Sequence, residues 1–151
     1  MMIKHRGIYH DRLDAPFVGS LIFAIDCHKG CKGCCHADRR NTPCYEDTGQ
    51  DIIQKVLDYK FSSGIILAGF EWSETPDEML ELIRLARLNN LEVIVYTHHT
   101  EQSLRCLIPE LYQYKGVYVK YGEYVESLRV DTYSSMGVKL ASTNQYIKVI
   151  S

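Results

Sequence analysis

Short, continuous apolar runs alternate along the chain with amphipathic stretches, and each run ends in glycine or polar residues. Leu21 to Ile25 reads LIFAI, Gly64 to Ala68 reads GIILA, and Leu91 to Thr97 reads LEVIVYT. Runs this short, bounded by loop residues, predict strands buried on both faces, as in a parallel sheet. Val117 to Val119 predicts a fourth. Between the strands the apolar spacing becomes helical: Ile52, Ile53, Val56 and Leu57 share one face over about Asp51 to Tyr59. A second helix opens at Thr75, Pro76, Asp77 and Glu78, with threonine as cap, proline at the first position and glutamate three residues after the cap. Met79, Leu80, Ile83, Leu85, Ala86 and Leu88 carry it to Asn89 and Asn90, which suit a left-handed end. A third helix covers about Glu101 to Tyr114, with Pro109 expected to break or kink it.

Repetition of strand, loop and helix predicts parallel βαβ units with right-handed crossovers. Four such strands are too few for a closed eight-stranded barrel. The expected fold class is therefore α/β, an open, incomplete β/α barrel of mainly parallel strands or a strongly curved sheet. Residues 36–49 read as a polar loop punctuated by Pro43 and Gly49, and Tyr146 to Ile150 as a last strand. Asp131 to Gly137 has too little periodicity to assign, and no internal repeat stands out.

Composition narrows the class. With 151 residues, 46% apolar and 24% charged, the chain reads as one domain over residues 1–151. No apolar run approaches the roughly 20 residues of a membrane span, and the start MMIKHRGIYHDRLDA lacks the apolar core of a signal peptide, so a cytoplasmic protein with no membrane partner is expected. A net charge of −2 provides no general field for nucleic acid. Lys29, Lys32, Arg39 and Arg40 form a local basic cluster that suits either a solvated loop or a positive surround for a reduced metal centre or an acidic partner.

That cluster surrounds the strongest chemical signal, CHKGCKGCC over Cys27 to Cys35. Four of the six cysteines fall within nine residues, which favours metal binding in a reducing compartment over disulfides. Cys27, Cys31 and Cys34 take the spacing Cys-x-x-x-Cys-x-x-Cys, which can bend around one face of a cubane iron-sulfur cluster and leave one iron open. The segment follows directly on Leu21 to Ile25, and α/β sites collect at the carboxyl ends of strands. A zinc-binding interaction module would instead use these three with Cys35, His36 or Cys44, although zinc knuckles come as two close pairs and no second pair occurs. A ferredoxin-like electron carrier would leave Gly69 to Glu71 and the βαβ layout without a role.

Other stretches extend the cysteine signal. Lys32-Gly33-Cys34, Gly69-Phe70-Glu71, YVKYGEYVE over Tyr118 to Glu126, and Ser142-Thr143-Asn144-Gln145 follow in order. Over roughly residues 15 to 150 the chain resembles the radical S-adenosylmethionine enzymes, and among them most the small activating proteins of the anaerobic, class III ribonucleotide reductase. Gly69-Phe70-Glu71 stands where that family has Gly-Gly-Glu or Gly-Gly-Asp, which binds the amino group of S-adenosylmethionine. The chain departs from the pattern at Phe70, at Cys35 after the third cysteine, and at Ala15 to Gly19, where a glycine-rich stretch is usual.

The resemblance implies a 4Fe-4S cluster held by Cys27, Cys31 and Cys34 and S-adenosylmethionine on its open iron. Reductive cleavage, with an electron from a flavodoxin-like donor, would give a 5′-deoxyadenosyl radical that takes hydrogen from a backbone glycine of the large glycyl-radical subunit of the reductase. The cofactor-binding candidates are Gly69, Phe70 and Glu71 at the amine, Lys120 at the carboxylate, and Thr97 and His98, with His99, near the adenine or ribose. Asn144 and Gln145 are candidates for positioning cofactor or partner, and Trp72 for core or pocket wall. Action on another protein or on a small molecule is the alternative within the same class.

Overall fold

The computed structural model describes residues 1–25, 42–134 and 136–151, the side chains of 131 and 132 excepted. In chain order the strands and helices are β1 (Met2–His5), β2 (Ile8–Arg12), β3 (Gly19–Ala24), β4 (Tyr45–Thr48), α1 (Gly49–Asp58), β5 (Gly64–Gly69), α2 (Pro76–Leu88), β6 (Glu92–Tyr96), α3 (Glu101–Leu107), β7 (Tyr118–Tyr121), β8 (Arg129–Tyr133), β9 (Lys139–Ser142) and β10 (Tyr146–Val149). Six of them form an open sheet in the order β2-β3-β5-β6-β7-β10. The central four run parallel, and β2 and β10 close the two edges antiparallel.

Parallel strands laid side by side in chain order, with crossovers of one hand, send their helices to one face of the sheet. Register defines that face. Ile22, Leu67, Val95, Val119 and Tyr121 point to it, since partners across a ladder share a side and successive residues alternate. Tyr121 meets the hydroxyl of Tyr112 there at 2.7 Å, in the 3-10 turn that follows α3. Leu21, Phe23, Ile66, Ala68, Ile94, Tyr96 and Lys120 point the other way. Residues 13–17 cross this second face: the Tyr96 hydroxyl donates to the Asp14 carbonyl, and Phe17 packs on Tyr118. β3, β5 and β6 are buried almost throughout because both faces are covered. Burial and the Asp14 carboxylate push the Tyr96 phenol well above its ordinary pKa.

Several boundaries differ from expectation for local reasons. The 36–49 stretch is not all loop: β4 pairs antiparallel with β1, and Thr48 caps α1 by accepting from the Asp51 N–H, so that helix starts at Gly49. Thr75 precedes α2 without a side-chain cap, because its hydroxyl donates back to the Trp72 carbonyl. Asn90 takes the left-handed conformation, φ 58°, that ends α2. The third helix stops at Leu107, and Pro109 opens the separate 3-10 turn. β8 and β9 form an antiparallel ribbon where no element was assigned.

Candidate functional site

The carboxyl ends of β3, β5, β6 and β7 lie side by side, and most of the sequence-derived candidates stand on them. Ala24, the last residue of β3, pairs with Gly69, the last of β5. Gly69 has φ +92°, and a β-carbon on it would come within 2.5 Å of Phe23 Cδ1, so glycine is required there for two reasons. Phe70 then turns its ring onto Phe23, edge to face at 5.4 Å, and is 6% exposed.

Glu71 is 3% exposed. Its Oε1 accepts from the His98 N–H at 2.8 Å and its Oε2 from the Ser73 N–H at 3.3 Å. The carboxylate therefore ties the end of β5 to the loop after β6, and its orientation is set by two backbone donors. Thr97 is buried, with its N–H on the Lys120 carbonyl at 3.0 Å and its Oγ1 accepting from the His99 N–H at 3.1 Å. His98 Nε2 stands 3.6 Å from Glu71 Oε1, and the His98 and His99 rings lie 4.1 Å apart. The Lys120 ammonium, on a residue 8% exposed, donates to the Lys139 carbonyl at 3.2 Å and lies 4.4 Å from the centre of the Tyr96 ring. A buried cation needs such partners.

Gly69, Phe70, Glu71, Thr97, His98 and Lys120 thus share one end of the sheet. Cys27, Cys31 and Cys34, with Cys35, His36 and the basic residues between 29 and 40, lie outside the described residues. Cys44 is exposed, and no group of three or more histidine, cysteine or acidic side chains suited to a metal occurs among the described residues. Asn144 and Gln145 serve the backbone: Asn144 Nδ2 donates to the Glu123 carbonyl at 2.8 Å, while Gln145 Nε2 donates to the Gly122 carbonyl at 3.1 Å and its Oε1 accepts from the Ala141 N–H at 2.9 Å. They hold the loop after β7 in place. Trp72 is core, its Nε1 donating to the carbonyls of Ile22 and Ala68 at 3.1 and 3.2 Å.

Arg6 was not anticipated. It donates from Nε to the Ile25 carbonyl and from Nη1 to the Thr42 carbonyl, each at 2.6 Å. No sequence pattern signals this, because the partners are 19 and 36 residues away. A cleft of about 580 Å³ opens beside it, between the turn after β1 and the β4–α1 segment, with His5, His10, Tyr45 and Asp47 on its walls. His5 Nδ1 accepts from the Gly7 N–H at 3.0 Å, so Nε2 carries the proton it donates to Asp47 at 2.8 Å.

No protein-family profile matches the chain, and no curated protein sequence matches it. No helix among the described residues is long and apolar enough to cross a membrane.

Proposed function

We propose that the chain is a radical S-adenosylmethionine activase, its open sheet the partial barrel of that class, acting on the glycyl-radical subunit of an anaerobic ribonucleotide reductase. One observation carries the proposal. The strand that runs into the Cys-x-x-x-Cys-x-x-Cys segment lies parallel to the strand that ends in Gly69-Phe70-Glu71, with Ala24 paired to Gly69. Cysteines and carboxylate therefore leave adjacent strands at the end where α/β sites collect.

The donor set fits the two groups. Three thiolates suit iron, Glu71 offers an acceptor for an ammonium group, and Lys120 offers a donor for a carboxylate. Cys27, Cys31 and Cys34 would hold the cluster, and Glu71 and Lys120 the amino and carboxylate groups of S-adenosylmethionine; together the two groups would supply one-electron reductive chemistry. The chain's own part is placement. The N–H groups of Ser73 and His98 fix the Glu71 carboxylate before any ammonium arrives. Tyr96 and the Lys139 carbonyl do the same for the Lys120 ammonium. Phe23, Phe70 and Trp72 keep water from the strand ends beneath. His98 flanks the acidic group on the β6 side, and Thr97 precedes that histidine in the chain. A flavodoxin-like electron donor and a cytoplasmic setting belong to the same proposal.

The test is anaerobic reconstitution with iron and sulfide, then dithionite and S-adenosylmethionine, with 5′-deoxyadenosine as the readout and Cys31→Ala as the control. Product from wild type that disappears in Cys31→Ala is the expected result. A cluster that yields no 5′-deoxyadenosine would make the chain an electron carrier, and colourless protein retaining zinc would make it an interaction module.

A further inference from the structure

Arg6 occupies the turn between β1 and β2, and its contacts converge on the carboxyl end of β3. Its N–H donates to the Phe23 carbonyl at 2.8 Å, and the neighbouring Gly7 carbonyl accepts from the Phe23 N–H at 3.0 Å. The guanidinium donates to the carbonyls of Ile25 and Thr42, and its central carbon lies 5.8 Å from the centre of the Phe70 ring. Ile25 and Thr42 flank residues 26–41, the span that contains Cys27, Cys31 and Cys34. One side chain therefore bonds both flanks.

A guanidinium is a rigid planar fork whose Nε and Nη donors keep a fixed relation to each other, so two carbonyls bonded to it are held at a set separation. An ammonium on a flexible stem imposes no such spacing. Holding the ends of a loop together also removes part of the entropy that gathering its interior residues would otherwise cost. We infer that Arg6 is a positioning residue for metal loading: by gripping the Ile25 and Thr42 carbonyls it sets the spacing between the two ends of the cysteine-bearing span. The inference rests on the assignment of Cys27, Cys31 and Cys34 as cluster ligands. It also separates geometry from charge, because a lysine at position 6 keeps the charge and loses the fork.

Wild type, Arg6→Lys, Arg6→Met and Arg6→Ala are reconstituted anaerobically with iron and sulfide, and the rate at which a chelator strips the iron is followed. The carbonyl 13C chemical shifts of Ile25 and Thr42, which respond to the bonds these oxygens accept, are measured in the metal-free chains, and thermal unfolding checks that each variant is folded. All three substitutions are expected to speed iron loss by about 10- to 100-fold, the range seen when groups supporting a metal site are removed. Both carbonyl shifts are expected to move as their hydrogen bonds are lost, and millimolar methylguanidine to slow iron loss again in Arg6→Ala alone. Iron retention in Arg6→Lys equal to wild type would overturn the inference and leave the cluster assignment standing. So would displaced carbonyl shifts at Ile25 and Thr42 with unchanged iron loss. Wild type that takes up no iron would end the cluster assignment and the inference together.

Discussion

The carboxyl ends of β5 and β3 are terminated in opposite ways. At β5 an anion serves backbone donors: the Glu71 carboxylate accepts from Ser73, two residues on, and from His98 on the neighbouring crossover. At β3 a cation serves backbone acceptors: the Arg6 guanidinium donates to Ile25 and Thr42. A strand buried on both faces leaves N–H and C=O groups at its end that water reaches poorly, and each must find a partner. Adjacent strands have solved this with opposite charges. Glu71 works from within its own loop on donors close to a well-packed strand end. Arg6 reaches in from an edge turn and joins two chain positions that nothing local brings together. The β5 end should therefore respond to substitution chiefly in global stability, and the β3 end in how the chain around residues 25 and 42 is held.

Gly69→Ala should give the largest effect, because it combines a left-handed backbone with a contact that Phe23 cannot yield without moving. A loss of about 3 kcal/mol in urea unfolding is expected. Phe23→Leu in the same background should recover part of it, because it relieves the steric component and leaves the backbone component. A double-mutant cycle showing no coupling between positions 23 and 69 would mean that packing at the β5 end is looser than the 2.5 Å approach implies.

Glu71→Ala comes next. It leaves the half-buried His98 and Ser73 N–H groups without their acceptor, at a cost of about 2 kcal/mol. Glu71→Gln keeps an oxygen for one of them and should cost about 1 kcal/mol. Faster exchange of the His98 amide in Glu71→Ala would locate the loss, and unchanged exchange would break the assignment of Glu71 as the anchor of that loop. Tyr121→Phe, which removes one hydroxyl of the pair with Tyr112 on the helix-bearing face, should cost about 1 kcal/mol and leave His98 exchange unchanged.

The parts of the molecule that were legible in the sequence share a physical property. β3, β5 and β6 carry continuous apolar runs, Leu21 to Ala24, Ile65 to Ala68 and Val93 to Val95, because both faces are covered there, and a short apolar run has few other uses. Once such strands are parallel and laid in chain order, the residues after each one must meet at one edge, so Gly69 to Glu71, Thr97, His98 and Lys120 could be grouped without coordinates. β1 and β4 were not legible. They are four residues each, partly exposed, and pair across more than 40 positions, as between Ile3 and Asp47. β9 is as short, four residues of which one is fully buried, and is as weakly patterned. Arg6 could not be read because its value lies in two carbonyls, and carbonyls have no residue identity. Asn144 and Gln145 stand out in the sequence through the resemblance of Ser142 to Gln145 to a family motif, and only the fold shows that their amides bond to the Glu123 and Gly122 carbonyls.

His5 and Asp47 provide a third strand-end contact, weaker than the other two, and its pH response measures how much weaker. The imidazole of His5 is buried, but the Asp47 side chain is a quarter exposed, with the Lys55 ammonium 3.6 Å from its other oxygen. The hydrogen bond from His5, assisted by Lys55, holds the Asp47 carboxyl below its ordinary value of 3.8 and outweighs the opposing effect of burial. A carboxyl whose pKa is lower in the folded chain binds fewer protons there than when unfolded. Its contribution is therefore complete above the unfolded value and fades as the pH falls through the folded one. Solvent screening limits that contribution to about half a kcal/mol. Asp47→Asn should accordingly lower stability slightly at neutral pH, and the difference from wild type should shrink below about pH 4, where the unfolded carboxyl titrates. Urea unfolding of both proteins at pH 7 and pH 3 checks this. A difference that grows on acidification would have the opposite sign and would break the assignment of a lowered Asp47 pKa at the junction of β1 with β4.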